Sequence, residues 1–234
     1  MKNTNINKMT LCGLILSLFT LAAVTSTTHA AGVTLPPSLN PGDEYRLIYI
    51  TNGARSGASA LLSDYDAFVT ADAAAISILA ALGTTWQIIG SAGGVWARDH
   101  TNTNPASGSG VPIFNLAGLN VANNNADLWD GTINNFNTDA TGGAVSGRLL
   151  SGTNSLGQGF SGPLGANGMD YASNANGTDF SWIAQAAPGV SQNDVYRMYG
   201  ISGVLTAVPE PGSAALLGLG TLLLAARRRR SAQA

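Results

Sequence analysis

Glu44-Tyr-Arg-Leu-Ile-Tyr-Ile-Thr51 is the run that decides the fold. Its β-branched and aromatic residues favour an extended backbone, and Asn52-Gly53 closes it with a strong turn signal. A second run of this kind, Met198-Tyr-Gly-Ile-Ser-Gly-Val-Leu-Thr206, stands towards the other end of the chain. The hydrophobic alternation of residues 45–50 and 199–205 suits two neighbouring antiparallel strands, one from each end of a domain. Between them, Ser63 is placed to cap a helix over residues 64–82, which Gly83 ends. Phe68, Ala75, Ile76, Leu79 and Leu82 fall at three- and four-residue spacings along it, which predicts that they share its buried face.

Shorter elements fill the space around this frame. Trp86-Gln-Ile-Ile89, Val95-Trp-Ala97 and Phe180-Ser-Trp-Ile183 have strand character, and residues 111–116 and 119–122 read as two strands around the Ala117-Gly118 turn. Residues 99–110 form a polar loop, and over residues 123–177 regular structure thins among scattered Gly and Asn. No internal repeat appears at a solenoid or propeller period. The pattern predicts an α+β domain with paired terminal strands, one main helix and long loops.

Both ends of the 234-residue chain read as targeting segments. Residues 1–30 form a signal peptide: Lys2 and Lys8 supply the basic start, residues 11–24 the apolar stretch, and Thr28-His29-Ala30 the site at which signal peptidase cuts before Ala31. Cys12, the only cysteine, lies in that apolar stretch, so the mature body has no disulfide and no thiolate metal site. The body, residues 32–207, carries five arginines, no lysine and twelve acidic residues, a net charge of −7. Such a surface is a poor partner for nucleic acid, whereas calcium or neutral polysaccharide suits it.

The tail, residues 208–230, runs Val208-Pro-Glu-Pro211, an apolar stretch over 213–226, then Arg227, Arg228, Arg229 and Arg230. Pro209 and Pro211 hold their neighbours extended, ready for a peptidase groove. Residues 214–226 would span about 20 Å as a helix, short of the ~30 Å bilayer core, so the anchor is a marginal one. The arginines form a cytoplasmic stop. In order, spacing and position this tail resembles the PEP-CTERM sorting tail. The resemblance implies recognition of Pro209-Glu210-Pro211 by exosortase, a membrane cysteine peptidase that removes the transient transmembrane anchor. It also implies a Gram-negative producer, with the protein ending at the cell surface or in an extracellular matrix rich in exopolysaccharide.

Catalytic chemistry is sparse in the body. His100, beside Asp99, is its only histidine, and it meets neither a Gly-x-Ser-x-Gly elbow nor enough ligands for zinc. Asn123-Asn-Asn-Ala-Asp-Leu-Trp-Asp-Gly131 is the richest cluster. Asn125, Asp127 and Asp130 offer hard oxygen donors suited to calcium, without the spacing of an EF-hand loop. Trp129 is either a plate on which a sugar ring stacks or a plug in the core.

Asp64-Tyr-Asp-Ala-Phe68, Thr85-Trp-Gln-Ile-Ile89, Ala97-Arg-Asp99, Val111-Pro-Ile-Phe-Asn-Leu116 and Asp127-Leu-Trp-Asp-Gly131 together resemble the collagen-derived endostatin domain. That resemblance implies a C-type-lectin-like fold: an α+β core, long loops and paired terminal strands. The body departs from that family in lacking cysteines, a basic heparin-binding surface and the Glu-Pro-Asn tripeptide of sugar-binding lectins. The resulting expectation is a non-enzymatic surface or matrix protein in contact with exopolysaccharide, with no cofactor except calcium. The alternatives are a secreted carbohydrate-active hydrolase using Asp127 or Asp130, and a purely structural matrix component.

Overall fold

Strand β1 (Glu44–Ile50) is buried along all but its first residue, which explains its nearly unbroken apolar run. The computed structural model describes residues 36–134, 136–159, 162–166, 171–186 and 190–208; the signal-peptide and sorting-tail readings therefore lie outside the described residues. After β1 come β2 (Arg55–Ser56), α1 (Leu62–Ala74), α2 (Ser77–Ala80), β3 (Trp86–Ile88) and α3 (Ala97–His100). Next are β4 (Ile113–Asn115), β5 (Asn120–Ala122), α4 (Asn125–Leu128), β6 (Arg148–Leu150) and β7 (Tyr171–Asn174). Finally come β8 (Gln185–Ala186), β9 (Val195–Ser202) and β10 (Leu205–Thr206), with 3-10 turns at Pro105–Ser107 and Phe180–Trp182. The result is a mixed α+β body with short helices and a curled sheet of order β5-β4-β1-β9-β6-β7-β8.

The two strands read first from the sequence do pair. Ile48, Tyr49 and Ile50 of β1 face Ile201, Gly200 and Tyr199 of β9 in antiparallel register. β10 returns along the start of β1, with Glu44 opposite Thr206 and Tyr45 opposite Leu205. β9 is the spine of the sheet: β1 and β2 follow one of its sides antiparallel, while β3 antiparallel and β6 parallel share the other.

Side-chain alternation along β1 feeds two cores. Tyr45, Leu47 and Tyr49 enter the one covered by α1, with Tyr65, Val69 and Trp86. Ile48 and Ile50 enter the other, with Trp129, Phe136, Trp182 and Tyr199. In the second core the Trp182 ring centroid lies 5.9 Å from Trp129, 6.3 Å from Phe136 and 5.7 Å from Tyr199. These separations suit the edge and tilted contacts that aromatic quadrupoles favour.

Several local expectations are corrected. Ser63 is not the cap: Leu61 holds that position, and α1 ends at Ala74 because Ile76 turns extended before α2 begins. The buried stripe of α1 is Leu62, Tyr65, Val69 and Ala73, a cleaner three-four spacing than the one expected. Phe68, Ile76 and Leu82 pack partly buried at its flank, and Leu79 reaches the core from α2. The segment 95–97 is no strand: Val95 closes a tight bridge with Ala92, and Trp96 stands extended before α3. Phe180–Trp182 is a 3-10 turn, capped by Asp179, whose Oδ1 accepts from Ser181 N–H.

Candidate functional site

The cluster at residues 123–131 folds as a short capped helix. The Asn124 side-chain oxygen accepts from Asp127 N–H at 3.0 Å, and Asp127 Oδ2 accepts from both the backbone N–H and the amide of Asn123. This reciprocal pattern satisfies one free donor of the first turn, Asp127 N–H, together with the N–H of Asn123 just before the cap. Asp130 Oδ1 takes the backbone N–H and hydroxyl of Thr132, at 2.8 and 2.9 Å. Asn125 is buried, its amide donating to Gly108 O at 3.0 Å. One carboxylate oxygen each of Asp127 and Asp130, and the amide nitrogen of Asn125, are thus engaged in local hydrogen bonds. Among the described residues no three acidic, histidine or cysteine side chains gather where a metal ion could be held.

Trp129, nominated as a sugar plate, is 4 % exposed and serves as the core plug. Its indole Nε1 donates to Thr103 O and Thr103 Oγ1, and the ring tilts against Trp182. His100 pairs with Asp66 at 2.9 Å, not with Asp99. Asp66 Oδ1 also accepts the backbone N–H of Ile88, so the pair pins α3 to α1 and β3.

What these elements leave open is a cleft of about 350 Å³ at the surface, lined by Arg98, Asp99, Asn102, Asn104, Ser107 and Asn125. Its walls come from α3 and the polar loop after it. Asn102 adopts a φ of 55°, and Asn104 caps the 3-10 turn through Ala106 N–H while its amide donates to Asp99 Oδ1 at 2.5 Å. Beside the cleft stands Trp96, 37 % exposed, whereas Trp86, Trp129 and Trp182 are all buried. The Arg98 guanidinium carbon lies 5.0 Å from the Trp96 ring centroid, within cation–π range. Val95 and Leu156 extend the exposed apolar surface around it. Arg98 N–H donates to Gly157 O at 3.1 Å, which docks α3 on the 154–158 turn.

Trp96 is the residue that the strand assignment concealed. Its signal in the sequence is Gly93-Gly94 just before it, both at positive φ, followed by the Asn- and Thr-rich stretch. Two glycines in left-handed conformation turn the chain outward and break any strand there.

No helix among the described residues is long and apolar enough to cross a membrane. No curated protein matches the chain. Residues 207–230 match the PEP-CTERM protein-sorting motif, which implies an exported protein sorted by way of the membrane and processed by exosortase.

Proposed function

We propose that this is a non-enzymatic protein of a Gram-negative cell surface or extracellular matrix, and that its body contacts exopolysaccharide through Trp96 and the adjoining cleft. The observation that carries the reading is the exposed indole of Trp96 beside a groove of amide, hydroxyl and carboxylate groups. A pyranose ring has an apolar face for the indole and a rim of hydroxyls for such polar groups. The combination of an apolar plate with a few convergent polar atoms is how small polar ligands are oriented. The acids considered for hydrolysis, Asp127 and Asp130, accept backbone and side-chain hydrogen bonds in their own turns, which supports a binding role over a hydrolytic one. The C-type-lectin-like reading of the body is supported by the antiparallel pairing of β1 with β9 near its two ends.

Affinity electrophoresis through gels containing polysaccharide tests the proposal. Wild-type protein should be retarded, and Trp96→Ala should migrate as it does in an empty gel. Equal retardation of the two proteins would remove Trp96 as the contact and the proposal with it.

A further inference from the structure

We infer that Arg98 makes this cleft selective for a carboxylate on the polysaccharide, that is, for an isolated uronic acid in an otherwise neutral chain. The inference rests on the reading of the Trp96 cleft as a sugar site.

Arg98 is an under-bonded cation that lines the cleft, whereas Arg148, exposed and without an ion pair among the described residues, lies outside that lining. Arg55 pairs with Asp64, Arg197 pairs with Asp139, and Arg46 is buried with Nη1 donating to Thr101 O at 2.6 Å. Arg98 has no carboxylate partner among the described residues. Its Nε is buried without a hydrogen-bond partner, and Nη1 makes one long bond of 3.4 Å to Leu156 O. A guanidinium offers five donors in a planar fork that matches a carboxylate. One with a single weak bond, lining an open cleft, has donors to spare for an incoming oxyanion.

Position sets the chemistry further. Because the Arg98 guanidinium lies over the Trp96 ring, its charge and the indole face belong to one surface. A ring stacked on the exposed part of the indole brings a carboxylate on its C5 carbon within reach of the fork. The neighbouring Asp99 and Asn104 then face hydroxyls, which can donate to the carboxylate and to the amide oxygen. Charged hydrogen bonds of this kind are about twice as strong as neutral ones. The body's net charge of −7 and Asp99 in the same cleft disfavour a polymer charged at every sugar. They leave room for a carboxylate that recurs sparsely, since repulsion beyond the ~8 Å screening length is weak at physiological salt.

The test uses gellan, a bacterial polysaccharide with one glucuronate per repeat, and the same polymer after carboxyl reduction, in which each carboxylate is a primary alcohol. Dissociation constants for the full chain come from affinity electrophoresis against each form. The expected result is binding about tenfold tighter to native gellan. Arg98→Ala should lower affinity for native gellan to the level of the reduced form, while Arg148→Ala, which alters an exposed arginine away from the cleft, should leave it unchanged. Equal affinity for both polymers, abolished by Trp96→Ala, would overturn the carboxylate selectivity and leave the sugar site standing. Binding to neither would overturn the sugar site and this inference together. An equal loss from Arg98→Ala and Arg148→Ala would replace the specific contact with diffuse charge. The comparison of the two polymers on wild-type protein needs no variant, so it holds even if Arg98→Ala fails to fold.

Discussion

Arg197 Nη1 lies 3.0 Å from Asp139 Oδ2, an ion pair that ties the loop after Phe136 to the spine strand β9. Asp139 is 8 % exposed, and its Oδ1 takes three further donors: Thr141 N–H, the Thr141 hydroxyl and Gly143 N–H. Burial pushes the Asp139 carboxyl up, but the hydrogen bonds from Thr141, Arg197 and Gly143 outweigh it and hold the group below the ordinary carboxylate range.

Replacing Asp139 by Asn therefore has a pH signature. The folded pKa lies below the unfolded value, so ionised Asp139 contributes its full stability above about pH 4 and loses it as pH falls through the folded pKa. Asp139→Asn should cost about 2 kcal/mol at pH 7, because Arg197 loses its partner. Urea unfolding should show that deficit shrinking at pH 3. A deficit of equal size at both pH values would mean that the carboxylate's charge contributes nothing.

Gly200 is where α1 settles on the sheet. A Cβ there would lie 2.5 Å from Tyr49 Cε1 and 2.6 Å from Val69 Cγ1. Both neighbours are fully buried, and Tyr49 Oη is fixed by donating to Val69 O at 2.8 Å. Gly200→Ala should destabilise by about 1–3 kcal/mol through overpacking. A melting temperature equal to wild type would show that α1 can retreat from the strand.

The frame of the fold is legible in the sequence where one residue type repeats along a buried strand. Tyr45 to Ile50 and Tyr199 to Ile201 reveal β1 and β9, because burial on both faces leaves little place for polar side chains. The loops are not legible in that way, since their order comes from single side chains bonding a few residues on. Asn115, Asn154 and Asp139 each close a turn by accepting backbone N–H groups two and four residues ahead. Such turns hold long loops without disulfides, and they explain an Asn-, Asp- and Gly-rich stretch that looks structureless by periodicity. For the same reason the Asn123–Asp130 cluster resembles a metal loop in composition, while Asn124 Oδ1, Asp127 Oδ2 and Asp130 Oδ1 accept hydrogen bonds within turns. Trp96 is exposed and Trp129 buried because exposure depends on Gly93 and Gly94 before one and on the Thr103 acceptor behind the other.

Calcium should leave the melting temperature unchanged. Native-state binding stabilises by RT ln(1 + [L]/Kd), so a micromolar site in millimolar calcium would add about 4 kcal/mol and raise the midpoint by several degrees. Asp127 Oδ2 and Asp130 Oδ1 already accept from Asn123 and Thr132, and a calcium ion would compete with those donors. Scanning calorimetry with calcium and with chelator decides the matter. A rise of several degrees that disappears in Asp127→Asn/Asp130→Asn would restore the metal site.

The folded body reaches almost to the sorting signal. Ala207 is buried, donates its N–H to Asp43 O at 2.8 Å and accepts from Gly42 N–H at 2.8 Å. Val208 is the single exposed residue between this clamp and Pro209. A peptidase that reads Pro209-Glu210-Pro211 therefore works against the face of the domain that carries β10 and the start of β1. Pro209→Ala with Glu210→Ala should leave a full-length, membrane-held precursor in a host with exosortase, visible as a larger band in the membrane fraction. The folded body should be unaffected, because neither side chain belongs to the described core, and its melting temperature should match wild type. If the double variant is shortened and released as efficiently as wild type, Pro-Glu-Pro is not the element that the peptidase reads. If instead the variant is retained and the wild type released, adding a flexible spacer after Val208 should speed release, since the peptidase would no longer have to approach the clamp.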